Sequence, residues 1–159
     1  MNVNRLIILC ILIVAVTFVP TVSAQSPSTS GEYEGVIESL SGKWAIISGL
    51  KFHVKNAQLD DDIDRLRVGL EVRVAFLVRD GIVRATYIDD DDDDINGVGR
   101  LSGVITAKTG RYIVISGMQI FTRAATIEGD ADYRVNGRVK VEFYPKSQTT
   151  LRAYNIDDD

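Results

Sequence analysis

The chain has 159 residues, of which 18 are Lys or Arg and 22 are Asp or Glu, giving a formal net charge of −4 with one Cys, one His and 13 Gly. That inventory excludes a disulfide scaffold and a Cys/His zinc site, and its acidic balance argues against a strongly basic nucleic-acid binder. An apolar share of 45% is ordinary for a globular protein.

Residues 1–24 read as a secretory signal peptide. Arg5 charges a short n-region, Leu6 to Val19 form an apolar stretch, Pro20 breaks it, and Val22-Ser23-Ala24 places small residues at a cleavage site. An uncleaved anchor would need about 20 apolar residues to span a bilayer, more than this stretch supplies. A lipoprotein would need small residues before Cys10, where Ile8 and Leu9 stand. Cleavage after Ala24 removes Cys10 and Arg5 and leaves a thiol-free chain of 135 residues with net charge −5. The expectation is an exported protein, periplasmic or secreted, with no membrane span after cleavage. Residues 25–32, opening Gln25-Ser26-Pro27-Ser28-Thr29-Ser30-Gly31, read as a flexible polar tether.

The rest is one unit written twice at an offset of 68 residues. Gly35-Val36-Ile37 recurs as Gly103-Val104-Ile105, Gly42-Lys43-Trp44 as Gly110-Arg111-Tyr112, and Ile47-Ser48-Gly49 as Ile115-Ser116-Gly117. Asp62, Asp64 and Gly69 match Asp130, Asp132 and Gly137. A one-residue slip aligns Val72, Val74 and Phe76 with Val139, Val141 and Phe143, and the register returns at Arg84-Ala85 and Arg152-Ala153. The boundaries follow: repeat one over 33–90, an Asp/Gly linker over 91–100, and repeat two over 101–159 with an acidic tail.

Within repeat one, Val72, Val74, Phe76 and Val78 alternate with Glu71, Arg73, Ala75 and Leu77, the period of a half-buried strand. Strands are predicted near 33–40, 43–48, 50–55, 70–79 and 82–89, with a tight hairpin at Asp80-Gly81. The connection from Asn56 to Gly69 reads as one or two helical turns on Leu59, Ile63 and Leu66, with Asp60 to Asp64 as its N-terminal cluster, or as an irregular loop turning at Gly69. Three strands, a connection and two strands is the order of the OB-fold. The fold class is therefore all-β, two tandem five-stranded OB-like barrels, with SH3-like barrels as the alternative.

Each repeat has the shape G-V-I, then G, then I-I-S-G or I-V-I-S-G, then G-x-V-x-V-x-F (with one further residue after the Gly in repeat one), then R-A-x-x-I. This resembles the bacterial family catalogued as domain of unknown function 5666, over roughly 33–90 and 101–157. The resemblance implies export and small β-barrels, and it brings no catalytic or binding residues with it. A more distant resemblance is to periplasmic bacterial OB-fold proteins linked to stress.

A Ser-His-Asp triad would have to use His53, whose counterpart in repeat two is Phe121. An outward aromatic position fits that exchange better than a general base. No P-loop, dinucleotide fingerprint or H-E-x-x-H is present. A paired-carboxylate hydrolase has no identifiable pair, so the expectation is a protein that is not an enzyme. Six consecutive carboxylates, Asp89, Asp90, Asp91, Asp92, Asp93 and Asp94, stand at the repeat junction, and Asp157 to Asp159 close the chain. They read either as hard-cation ligands for calcium or as a solvated, self-repelling spacer. No other cofactor is implied.

OB-folds commonly bind across strands two and three. That face would carry Trp44, His53, Lys43 and Lys51 in repeat one, and Tyr112, Phe121, Arg111 and Arg123 in repeat two. Aromatics flanked by cations can stack on a sugar ring or a base, although Trp44 and Tyr112 could equally be core or interface residues. The expected partner is an envelope or extracellular ligand or protein, and the negative charge argues against nucleic acid.

Overall fold

A computed structural model describes residues 29–90 and 97–159. The expected signal peptide, the start of the tether and Asp91 to Asp94 lie outside the described residues. Repeat one contributes β1 (Thr29–Ser41), β2 (Trp44–Ile47), β3 (Leu50–His53), β4 (Gln58–Leu59), β5 (Glu71–Arg79) and β6 (Ile82–Asp90). Repeat two contributes β7 (Gly99–Lys108), β8 (Tyr112–Ile115), β9 (Met118–Phe121), β10 (Thr126–Ile127), β11 (Arg138–Ser147) and β12 (Thr150–Asp158).

The alternating sequences bury alternate residues, as a pleated strand must. Val72, Val74, Phe76 and Val78 of β5 point inward, while Glu71, Leu77 and Arg79 face solvent. Pairing closes each repeat into a five-stranded barrel. In repeat one β1 pairs with β2 and β5, β2 with β3, β5 with β6, and β3 with β6 in parallel through His53 and Arg84. In repeat two β9 pairs in parallel with β12 through Ile120–Leu151 and Phe121–Arg152. The parallel third-to-fifth pairing inside an otherwise antiparallel barrel belongs to the OB arrangement and sets aside the SH3-like alternative.

Turn chemistry follows the residues. Asp80 and Gly81 have φ of 54° and 73°, and Ser48 and Gly49 have φ of 37° and 83°. Two consecutive left-handed residues are what a two-residue hairpin needs to match strand twist. Bulges occur at equivalent places, between Ile37 and Ser39 and between Ile105 and Ala107, and bend the two longest first strands around their barrels.

The connection between third and fourth strands is not helical. Gln58–Leu59 forms a short strand parallel to β6, followed by turns that tuck Ile63 into the core and end at Gly69, whose φ is 85°. The Asp60 to Asp64 cluster therefore caps no helix, and Asp60 accepts a hydrogen bond from the Tyr87 hydroxyl.

Two boundaries move. Thr29 to Glu32, assigned above to the tether, are strand, paired with Ala75–Val78 on one side and, from Ser30, with Arg100–Ser102 on the other. Gly99 and Arg100, assigned to the linker, begin β7. This β1–β7 pairing joins the barrels into one twelve-stranded sheet. The cores merge as well: Tyr33 stacks on Phe143 at 5.9 Å and lies 5.6 Å from Phe52. The hairpins cross between barrels, Gly81 N–H donating to Ser116 O at 2.8 Å and Lys51 N–H to Gln148 O at 3.0 Å.

Candidate binding faces

The binding faces begin with strand alternation. In β2 and β3, Ala45, Ile47, Leu50 and Phe52 fill the barrel, so Trp44, Ile46, Lys51 and His53 must stand on its outer surface. Register then sets neighbours. Trp44 lies opposite His53, and Ile46 opposite Lys51. The Trp44 and His53 rings meet edge to face at 5.0 Å. The Lys51 ammonium sits over the indole, 4.6 Å from its centroid, and that of Lys43 lies at 5.8 Å. Such contacts stabilise by roughly 0.5–1 kcal/mol when exposed, enough to bias where each ammonium rests.

Repeat two builds the same face. Tyr112 lies opposite Phe121, with ring centroids 6.1 Å apart. Lys146, from the β11–β12 hairpin, places its ammonium 3.1 Å from the Phe121 centroid. Arg111, Phe121, Arg123, Ala124, Lys146 and Arg152 line a cleft of about 470 Å³. Matching backbone bonds hold the first cation of each set beside the end of the third strand: Val54 N–H donates to Lys43 O at 2.9 Å, and Thr122 N–H to Arg111 O at 3.0 Å.

All eight residues placed on the ligand face from sequence thus come together in two sets of four. Neither Trp44 nor Tyr112 is core; both are half-buried on the outer surface. The His53 position, exchanged for Phe121, serves as an aromatic edge.

The sequence reading missed three cations of these faces. Arg84 and Arg152 arrive through the parallel pairing with His53 and Phe121, and Lys146 on the β11–β12 hairpin. Lys43, Lys55 and Arg84 correspond to Arg111, Arg123 and Arg152 at the repeat offset. The recurrence of Arg84-Ala85 as Arg152-Ala153 was the available signal. Together the two faces hold seven of the 18 Lys and Arg residues of an acidic chain: Lys43, Lys51, Arg84, Arg111, Arg123, Lys146 and Arg152. The ion pairs among the described residues use other cations, such as Arg73 with Glu34 and Arg100 with Glu142. The cations of these faces take no part in those pairs, and Lys51 and Lys146 rest on aromatic rings instead.

The calcium reading has less to build on. Asp89 and Asp90 pair with Arg73 and Val72 at the end of β6. Among the described residues no three His, Cys, Asp or Glu side chains converge on a common point, and Asp91 to Asp94 lie outside them. No helix of the described residues is long and apolar enough to cross a membrane.

The model of a protein family described as Domain of unknown function (DUF5666) matches residues 34–89 and again residues 102–157. No curated protein matches the chain. Among solved structures, one titled "drosophila Unr CSD456" is similar over 80% of this chain and 62% of its own length, at 15% identity and a TM-score of 0.32. The chain thus spans less than two thirds of that structure.

Proposed function

We propose a function from the premise that the chain belongs to the domain of unknown function 5666 family: it is an exported, non-enzymatic binding module of the cell envelope. Each barrel offers one aromatic–cation face to a ligand. The observation that carries this reading is the repeated face itself. A pair of half-buried aromatics recurs on the outer side of the second and third strands of both barrels, with a cation at the start of the second strand and an Arg paired beside the third, in a chain of net charge −4. A solvated surface with no task would spread its cations among its carboxylates. The role of His53 as an aromatic edge against Trp44 supports binding over catalysis. Export rests on the Leu6–Val19 stretch and the Val22-Ser23-Ala24 site.

The test is capture. The protein and a Trp44→Ala/Tyr112→Ala double variant are incubated with insoluble envelope polysaccharide, and the bound fraction is measured beside a melting curve. Loss of capture at an unchanged melting temperature is the expected result. Full capture by the variant refutes the reading, and unfolding of the variant would return both aromatics to a structural role.

A further inference from the structure

Two of the four aromatic rings of these faces carry a cation. Lys51 lies over Trp44 and Lys146 over Phe121, at 4.6 and 3.1 Å from the ring centroids. A platform for stacking bases needs an open π-face, and an ammonium group occupies one face of Trp44 and one of Phe121. The rings act instead as seats that hold cations in place. Arg111, Arg123 and Arg152 line the cleft of about 470 Å³ beside the Phe121 seat. A guanidinium is a planar fork whose paired N–H donors match two oxygens of an oxyanion such as a carboxylate, phosphate or sulfate. Pairing it there offsets the cost of confining like charges in one cleft.

The two faces also touch. The β11–β12 hairpin carries Lys146 to Phe121, and its Gln148 carbonyl accepts from the backbone N–H of Lys51, the residue seated on Trp44. Pro145 of the same hairpin lies against Gly49, 3.6 Å from where a side chain there would begin. One hairpin therefore joins both cation sets, and a ligand carrying regularly spaced charges could follow it from one to the other.

We infer that the Arg111–Arg123–Lys146–Arg152 cleft is an oxyanion site for an acidic polysaccharide, one bearing carboxylate or sulfate groups along its chain, and that the β11–β12 hairpin extends the site toward Lys51 and Trp44. The inference rests on the binding reading above and names its ligand class. A polynucleotide fits less well. The Lys51 and Lys146 ammonium groups occupy a face of the Trp44 and Phe121 rings on which its bases would stack.

The experiment titrates three probes into the protein, expressed from Met1 and purified: an oligogalacturonate, neutral dextran of similar length, and a single-stranded oligo-dT. Oligogalacturonate is expected to bind, with affinity falling as salt rises. Dextran is expected not to bind, and oligo-dT to bind at least about tenfold more weakly. An Arg123→Gln/Arg152→Gln variant should lose at least about tenfold in oligogalacturonate affinity, since it removes two of the four cations lining the cleft. Its melting temperature should not change, because both side chains are exposed. Lys146→Gln alone should give a smaller loss of the same sign.

Equal binding of dextran, lost in Trp44→Ala/Tyr112→Ala, would overturn the acidic class and leave the binding module standing. Equal or tighter binding of oligo-dT would overturn it in favour of nucleic acid. Undiminished oligogalacturonate binding by the double Arg variant would move the site elsewhere. Binding of none of the three probes would also overturn the inference, with the capture assay still deciding the broader reading.

Discussion

Glu32 of β1 stands directly opposite Arg100 of β7, and the two are each other's equivalents at the repeat offset of 68. The pair therefore marks a pseudo-twofold axis. On either side of it Gly31 faces Leu101 and Tyr33 faces Gly99, a second pair of equivalents. The small residues are required by the approach of the barrels. A Cβ at Gly99 would come within 2.7 Å of the Tyr33 ring and would also strike Phe143, while one at Gly31 would lie 2.5 Å from Phe76. Duplication has produced one joined body from two units that would each be small for independent folding.

Cooperative unfolding follows from that junction. Calorimetry should give a single transition for both barrels, and Gly99→Ala should lower stability by about 1–3 kcal/mol, the usual cost of forcing atoms into a packed site. Two separated transitions in the unsubstituted protein would mean that the shared sheet does not couple the barrels.

Alkaline pH should weaken the fold. Burial, with a smaller contribution from Glu38, pushes the Tyr33 phenol above its ordinary value of 10. The Tyr87 hydroxyl, bonded to Asp60 and partly desolvated, is pushed up to about 12. Burial, then Glu142, raises Tyr154. The folded chain thus keeps protons that the unfolded chain releases near pH 10. The stabilisation is complete below that pH and is lost as pH rises through the folded values. Melting temperature should hold from pH 7 to 9 and fall beyond 10. Tyr33→Phe should shallow that fall, and should cost about 1 kcal/mol at pH 7 by removing the hydrogen bond to Ser48 O.

Trp44 is the only tryptophan, so its fluorescence reports on one face alone. Ligand binding should change that emission, and Arg84→Gln should reduce the change because Arg84 pairs in register with His53, beside the indole. Denaturant unfolding of Trp44→Ala should show a loss of about 1 kcal/mol or less, the cost of a half-exposed position with a cation–π contact. A loss of several kcal/mol would assign Trp44 to the fold rather than to the face.

The acidic run is expected to act as a solvated spacer. Calcium titrated into the protein and into an Asp89–Asp94→Asn variant should give the same negligible heat. Heat in the former that vanishes in the latter would establish a cation site at the junction.

Much of the fold was legible because alternation is a local property. Val72 to Val78 announce an inner and an outer face, and the repeat offset doubles each such signal. The first turn of β1 was not legible. Thr29-Ser30-Gly31-Glu32 has no apolar alternation and reads as a tether, yet it is strand because β5 and β7 flank it on both sides. Thr29 is buried with its hydroxyl bonded to that of Ser116 at 2.6 Å. The clue was Gly31 matching Gly99, both at the close approach of β1 and β7. The site divided in the same way. Trp44, Lys51 and His53 are near in sequence and alternate together, so they could be placed. Arg84 and Arg152 reach the same face through parallel pairing across some 30 residues, which no local pattern reveals.

The most direct test of the central claim, that the aromatic–cation faces hold the ligand, is amide and side-chain chemical-shift mapping during titration with the oligogalacturonate. Shifts gathered on Trp44, Lys51, His53, Tyr112, Phe121, Arg152 and the Lys146 hairpin are the predicted result. Shifts confined to the outer side of β5 or to the acidic run, with these faces silent, would contradict it.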